Sequence, residues 1–187
     1  IRIPLFDPDK FLNATNALAR LVFSKTGAVI WLAVMVLAGL LTVQHWPDLT
    51  ENVTEKVLSP QNILLLWLTF PLVKACHEFG HAYATKVWGG EVHEMGVLLL
   101  VLMPIPYVDA SAASAFRSRT RRVVVGAAGM MVELFLAAMA LIVWLTIEPG
   151  FARAIAYNIT LIAGVPTLLF NDSPLLRLSR YLIFSVA

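Results

Sequence analysis

The sequence contains little charge and almost no cysteine. Lysine, arginine, aspartate and glutamate make up 14% of its 187 residues, and 59% belong to the hydrophobic set, whereas an average soluble domain has about 25% charged residues. This composition excludes a disordered chain and an ordinary soluble globule, and the net charge of +2 gives no basis for a nucleic-acid partner. The single cysteine, Cys76, excludes an internal disulfide and a metal site built from several cysteines. These absences indicate an integral membrane protein that is surrounded by the lipid bilayer.

Four apolar runs are candidates for membrane-spanning helices. They cover residues 27–43, 57–73, 123–147 and 154–170. A bilayer core of about 30 Å needs about 20 apolar helical residues, with a range of about 17–25, and each run falls within that range. The sequence therefore predicts an all-α polytopic membrane protein with about four transmembrane helices, the second of which extends past His81.

Two segments differ from this pattern. Residues 1–25 mix charged side chains with apolar ones at helical spacing, which is typical of an amphipathic helix lying on the membrane surface. Residues 91–109 are apolar in their second half, but Pro104 and Pro106 forbid a regular helix, so we expect a hairpin or a re-entrant loop. The predicted organisation is thus a surface helix followed by a transmembrane core at 26–187, and we expect both ends to be incomplete.

Basic residues lie on alternating sides of the predicted spans. They concentrate in segments 1–26, 82–122 and 177–180, whereas the loop 44–61 has only Lys56 against three acidic residues. Cytoplasmic loops of membrane proteins carry an excess of lysine and arginine. We therefore expect both termini and the segment 82–122 to face the cytoplasm.

The run His77-Glu78-Phe79-Gly80-His81 is the pattern with the most specific chemistry. Four residues make slightly more than one helical turn, so both imidazoles point to one face of the helix, where they can bind one zinc ion. Glu78 projects beside the metal and can take a proton from zinc-bound water as the general base of peptide hydrolysis. Ionisable groups within an apolar helix are costly and usually functional. The motif predicts a zinc site with His77 and His81 as ligands and Glu78 as the catalytic base.

Together with two further stretches, this motif resembles the site-2 proteases, which are intramembrane zinc metallopeptidases. The resemblance covers residues 60–177 and includes the run MPIPYVDA at 103–110, which is similar to a bacterial branch, and the run NDSPLL at 171–176. It implies cleavage of a membrane-embedded protein substrate within the bacterial cytoplasmic (inner) membrane, near the cytoplasmic side. It also implies a catalytic role for Asn171, which matches an asparagine that lies close to the reacting carbonyl.

The sequence departs from that family at the third zinc ligand. The family's aspartate and the glycine after it fall on Ser179 and Arg180, and a neutral hydroxyl is a poor substitute for a carboxylate. Catalytic zinc sites typically have three protein ligands, so the third is Asp109, Asp172 or a residue of a segment absent from this sequence, unless the chain is an impaired relative. This departure leaves an alternative function open: a non-catalytic zinc-binding membrane subunit that scaffolds a larger transport or secretion assembly with other membrane subunits.

The third apolar run contains one charged residue, Glu133. Because a carboxylate in hydrocarbon costs about 2.5–3.5 kcal/mol on insertion scales, we expect it to face the interior of the bundle. Its role is either a proton relay or substrate contact, or a protonated acid that is hydrogen-bonded to a neighbouring helix. Gly126 and Gly129 precede it, and we expect these small residues to let a neighbouring helix approach closely.

Overall fold

Three long apolar helices dominate the fold. A computed structural model describes residues 2–100 and 103–169, and this part of the chain is mostly helical. The long helices are α3 (Lys25–Gln44), α6 (Pro60–Val87) and α7 (Arg119–Thr146). At 1.5 Å per residue each measures about 30 Å or more, and each is apolar enough to cross a membrane. A helical membrane protein is therefore the class of fold that the structure supports.

The fourth predicted span falls on α8 (Phe151–Leu169). The apolar helical stretch that the structure describes there, Phe151–Gly164, is shorter than the other three, so the fourth span stays a prediction. The remaining helical segments are short. They are α1 (Asp9–Ala14), α2 (Asn16–Val22), α4 (Trp46–Thr50), α5 (Val53–Leu58) and a 3-10 turn (Ser111–Ala115).

Local sequence explains where α6 begins and ends. Pro60 stands in its first turn, where the fixed φ of proline suits the helix and its missing N–H is no loss. Gly89, two residues after the helix ends, has a φ of 84°, a left-handed conformation that glycine adopts without steric cost. The chain therefore turns sharply after the histidine motif and returns as a hairpin.

Helix α7 lies at the centre of the bundle and packs against α6, α8 and α3. Its contact with α6 is close at Gly80, where an added Cβ would lie 2.9 Å from the carbonyl oxygen of Ala128. On the other side, the indole Nε1 of Trp31 on α3 donates to the carbonyl oxygen of Met131 at 2.9 Å. Small residues and one long-range hydrogen bond thus hold α7 in place, and the histidines of α6 pack against it.

The predicted hairpin is present, and the described chain is mostly helical, but it also forms a small sheet that the all-α prediction does not include. Strands β1 (Arg2–Phe6), β2 (Met95–Leu100) and β3 (Met103–Val108) pair antiparallel in the order β1-β2-β3. The two prolines of β3 are tolerated because that strand lies at an edge of the sheet. The hairpin alone would leave one side of β2 unpaired, and β1 fills that side.

The predicted surface helix over residues 1–25 is wrong in its first part. Residues 2–6 form strand β1, and two short helices separated at Thr15 replace one continuous helix. Pro4 and Pro8 disfavour a helix at the start, and the partner of β1 lies about ninety residues away in sequence. The segment packs on the end of α6 and on the hairpin, so it forms part of the same body as the core.

A buried ion pair fastens this N-terminal segment to the bundle. The Lys86 ammonium on α6 lies 2.5 Å from Oδ1 of Asp9 on α1, and the same oxygen accepts the N–H of Val92 at 3.3 Å. Leu12 and Val92 are fully buried in the adjoining apolar cluster. The hydrogen bond from Lys86 lowers the pKa of Asp9 below its ordinary value of 3.8, against the smaller opposing effect of desolvation.

We expect Asp9→Asn to destabilise the protein by about 1.5–3 kcal/mol near neutral pH, the usual contribution of a hydrogen bond to a charged group. Because the folded pKa of Asp9 is depressed, its contribution is fully present above 3.8 and is lost as the pH falls through the folded pKa. Thermal unfolding as a function of pH checks this, since the difference in Tm should close in acid. Asp7→Asn, which changes an exposed carboxylate, is the control, and a difference that persists in acid would contradict the assignment.

Candidate metal centre

The two histidines of the motif face α7 from one side of α6, as their spacing predicts. Their ring centroids are 4.7 Å apart, and Nε2 of His77 lies 3.0 Å from Nε2 of His81. Two nitrogens that each bind one tetrahedral zinc ion at 2.0–2.1 Å lie about 3.3 Å apart. A small rotation of either ring therefore brings the pair to the geometry that zinc requires.

The second ring nitrogen of each histidine lies next to an oxygen atom of α7. Nδ1 of His81 lies 2.6 Å from the carbonyl oxygen of Val125. Nδ1 of His77 lies 3.2 Å from Oε1 of Glu133, at an angle outside hydrogen-bond geometry. Metal-binding histidines commonly place their second nitrogen against a carboxylate or a backbone carbonyl in this way. Because both oxygens are acceptors, they favour a proton on Nδ1 and a lone pair on Nε2.

Two Nε2 lone pairs that face each other at 3.0 Å repel unless a proton or a metal ion lies between them. A proton on one Nε2 makes a hydrogen bond between the two rings, and a metal ion relieves the repulsion by accepting both lone pairs. Neutral imidazole is among the preferred ligands of zinc. The donor set of the pair therefore fits a zinc ion.

Gly129 on α7 provides the space in front of the two imidazoles. A Cβ at this position would lie 2.4 Å from one Nε2 and 2.6 Å from the other. Val125, Gly129 and Glu133 are four residues apart and form one face of α7, which meets the histidine pair along its length. Gly126 has nothing within 4 Å of an added Cβ. The close approach expected at both glycines is therefore found at Gly129 and not at Gly126, and the four-residue spacing of Gly129 from Glu133 is the sequence signal for this difference.

Glu78 lies beside the pair and is tied to the hairpin. Its side chain is half-buried, and Oε2 accepts the N–H of Val108 at 3.1 Å. Strand β3 thus holds the carboxylate next to the histidine motif. The predicted base and the two predicted ligands are brought together at the contact of α6, α7 and β3.

The outer edge of β3 is poor in hydrogen-bond donors. The N–H of Asp109 bonds to the carbonyl oxygen of Glu94 on the side of β2, whereas the N–H of Val108 points away from β2 to Glu78. Successive residues of an antiparallel strand alternate sides, so positions 104, 106 and 108 face outward, and the first two are prolines without an N–H. This edge offers carbonyl acceptors to an extended peptide, and its remaining donor, the N–H of Val108, is already bonded to Glu78.

A third ligand is not found within residues 2–100 and 103–169, which contain no group of three or more histidine, cysteine, aspartate or glutamate side chains placed to hold a metal. Asp109, one of the alternatives for that ligand, is exposed where the hairpin ends, and its carboxylate accepts the N–H of Ser111 at 3.0 Å. Asp172, the other alternative in this sequence, lies outside the described residues. The same is true of the predicted catalytic Asn171 and of Ser179 and Arg180.

Lys74 also belongs to this site, although the sequence motifs did not predict it. Its Nζ lies 2.5 Å from Oε1 of Glu133, the same oxygen that faces His77. Glu133 is 2% exposed, so its expected interior position is confirmed, and a lysine from α6 partners it. Lys74 precedes His77 by three residues and therefore shares its helical face. That spacing, together with an unmatched acid on another apolar helix, is the signal that could have found it.

We expect Lys74→Met to destabilise the protein by about 3–5 kcal/mol, the usual cost of removing one partner of a buried ion pair and leaving the other charge uncompensated. Methionine keeps the apolar part of the side chain but removes the charge that balances Glu133. The double variant Lys74→Met/Glu133→Gln should recover most of the loss, because it buries no net charge. Unfolding of the detergent-solubilised protein by denaturant measures both. Equal losses in the single and double variants would mean that Lys74 acts through packing alone.

Comparisons of the chain with known protein families, with curated proteins and with solved structures find no match. The candidate metal centre therefore depends on the residues of this chain and on their geometry.

Proposed function

We propose that this chain is an intramembrane zinc metalloprotease that hydrolyses a peptide bond in a membrane-embedded protein substrate. The observation that carries the proposal is the pair of Nε2 atoms of His77 and His81, 3.0 Å apart, with Nδ1 of His81 hydrogen-bonded to the Val125 carbonyl and Nδ1 of His77 lying 3.2 Å from the Glu133 carboxylate. The resemblance of the sequence to the site-2 proteases supports the same reaction. The three long apolar helices support a site within the membrane.

The chemistry of each residue follows from its position. His77 and His81 would hold the metal through Nε2; the Val125 carbonyl orients the His81 ring, and the Glu133 carboxylate lies beside the His77 ring. A bound zinc ion would supply Lewis acidity, which polarises a scissile carbonyl and lowers the pKa of water from about 15.7 to about 7. Glu78 takes the proton of the attacking water and passes it to the leaving amine. Its Oε2 is bonded to the hairpin, so Oε1 is the oxygen available for this proton.

The remaining parts of the proposal involve residues 170–187. A catalytic zinc site needs a third protein ligand, for which Asp172 is the candidate in this sequence. Asn171 is assigned to the side of the reacting carbonyl, as the resemblance implies. The proposed location is the bacterial cytoplasmic membrane with both termini in the cytoplasm, on the basis of the basic residues that flank the spans.

Metal removal tests the proposed reaction. The full chain in liposomes, mixed with a single-spanning substrate whose helix is interrupted by glycine and proline, should cleave that substrate. Cleavage should stop when a chelator removes zinc and should return when zinc is restored. Cleavage that survives complete removal of zinc would contradict the proposal.

The alternative is a non-catalytic zinc-binding subunit of a larger membrane assembly. The observation that favours it is the neutral Ser179, followed by Arg180, where the resemblance calls for a zinc-binding aspartate. Under this alternative the protein binds zinc at full stoichiometry but cleaves no membrane substrate. The same liposome assay, read together with the zinc content, separates the two functions.

A further inference from the structure

A cavity lies at the end of the bundle opposite the histidine pair. It has a volume of about 770 Å³ and lies between the C-terminal end of α7, the N-terminal ends of α6 and α8, and the short helices α4 and α5. Asn62 on its wall precedes His77 by fifteen residues of one helix, or about 22 Å at 1.5 Å per residue. The cavity is therefore separate from the candidate metal centre.

Charged side chains of both signs line this cavity. Lys56 and Arg153 are the cations, and Asp48 and Glu51 are the anions. In the described part of the chain, none of the four takes part in an ion pair. Two cationic and two anionic groups around one cavity thus keep their charges available for a ligand.

Aromatic rings, rather than carboxylates, position the two cations. The guanidinium carbon of Arg153 lies 5.0 Å from the ring centroid of Trp144, and Nζ of Lys56 lies 5.8 Å from the ring centroid of Tyr157. Both rings are buried, and the Tyr157 hydroxyl donates to the carbonyl oxygen of Leu49 at 3.0 Å. Contacts with ring faces use the charge of the cations but leave their N–H donors free for an anion.

Asn62 on the wall of the cavity pairs with Asn158, which is buried behind it. Nδ2 of Asn158 donates to Oδ1 of Asn62 at 2.8 Å. The other two amide atoms, Nδ2 of Asn62 and Oδ1 of Asn158, are buried without a hydrogen-bond partner in the described chain, and Asn158 is fully buried. Buried polar groups that lack a partner are destabilising. Because these amide atoms are buried, the charged side chains are the groups that a ligand in the cavity can contact.

We propose that this cavity binds a phosphoethanolamine group. A phosphate accepts charge-assisted hydrogen bonds from Arg153 and Lys56, and a primary ammonium donates to Asp48 and Glu51. The site lies where the long helices end, at the depth of lipid headgroups. The outer faces of α3 and α6 next to it are apolar and exposed, and they suit acyl chains. The ligand is therefore the headgroup of a phosphatidylethanolamine lipid or a free molecule with the same chemistry.

Native mass spectrometry of the full chain in detergent tests the proposal with lipids of identical acyl chains. Phosphatidylethanolamine should be retained about tenfold or more over phosphatidylglycerol, which lacks the ammonium, and over phosphatidylcholine, whose quaternary nitrogen cannot donate. Lys56→Gln/Arg153→Gln should abolish this retention. Asp48→Asn/Glu51→Gln should keep lipid binding but lose the preference for the primary amine.

The control is Arg121→Gln, which changes an exposed cation at the opposite end of α7 and should alter neither result. Competition with free phosphoethanolamine identifies the source of the ligand. If the free molecule displaces the lipid, the ligand is assigned as a soluble molecule. If it does not displace the lipid, the ligand is assigned as the lipid headgroup. Equal retention of the three lipids, or an unchanged preference in both double variants, would overturn the proposal. Thermal unfolding of each variant shows that loss of binding does not come from loss of fold.

Discussion

Replacing Gly129 by alanine should abolish zinc binding, whereas replacing Gly126 by alanine should leave it unchanged. The added methyl group at position 129 would lie 2.4 Å and 2.6 Å from the two Nε2 atoms, so at least one ring must leave its place on α7. The loss of affinity should exceed the roughly 10–100-fold that removal of an outer partner of a metal ligand costs, because both ligands are obstructed. Zinc titration of the purified variants with a fluorescent competitor measures it.

The Gly126 variant is a matched control for this experiment. It adds the same methyl group to the same helix three residues earlier, where nothing lies within 4 Å of the new atom. Helix propensity rises equally in both variants, since alanine is favoured over glycine at either position. If Gly129→Ala bound zinc as tightly as Gly126→Ala, the two Nε2 atoms would not be the donors.

Glu78→Gln should retain the zinc ion but reduce cleavage by roughly 10²–10⁴-fold, the usual contribution of a general base. The amide oxygen of glutamine can still accept the N–H of Val108, which in the native protein bonds to Glu78 at 3.1 Å. The hairpin should therefore stay in place. What the variant loses is the ability to take a proton from the attacking water.

Zinc content, thermal unfolding and cleavage of the liposome substrate are measured on the same preparation. Glu91→Gln is the control, because Glu91 is an exposed carboxylate beside His93 and lies outside the motif. Unchanged cleavage in Glu78→Gln would rule out the carboxylate as the base. Loss of zinc from the variant would instead mean that Glu78 helps to bind the metal.

The features that could be predicted from the sequence are those set by local patterns. The long helices follow from uninterrupted apolar runs, and the common face of His77 and His81 follows from their four-residue spacing. The hairpin follows from the prolines that forbid a helix after the motif, and the interior position of Glu133 follows from the cost of charge in hydrocarbon. Each of these inferences uses residues that lie in the same helix or in the segment next to it.

The features that could not be predicted depend on pairs that are distant in sequence. Strand β1 exists because β2 offers an unpaired edge, and nothing near residues 2–6 encodes that partner. The spacing of Lys74 from His77 indicates a shared face, but its pairing with Glu133, 59 positions away, depends on how α6 packs on α7. The spacing of Gly129 from Glu133 likewise indicates a shared face, but only the packing of α6 shows that an added Cβ is obstructed at Gly129 and not at Gly126.

X-ray absorption at the zinc edge tests the central claim most directly, because it reports the ligands of the metal in the intact protein. One zinc ion per chain should have nitrogen neighbours at about 2.0–2.1 Å with the multiple-scattering signature of two imidazoles. His77→Ala or His81→Ala should remove one imidazole from that signature and weaken binding. A protein that binds no zinc, or a spectrum that neither substitution alters, would contradict the claim that this histidine pair is a metal centre.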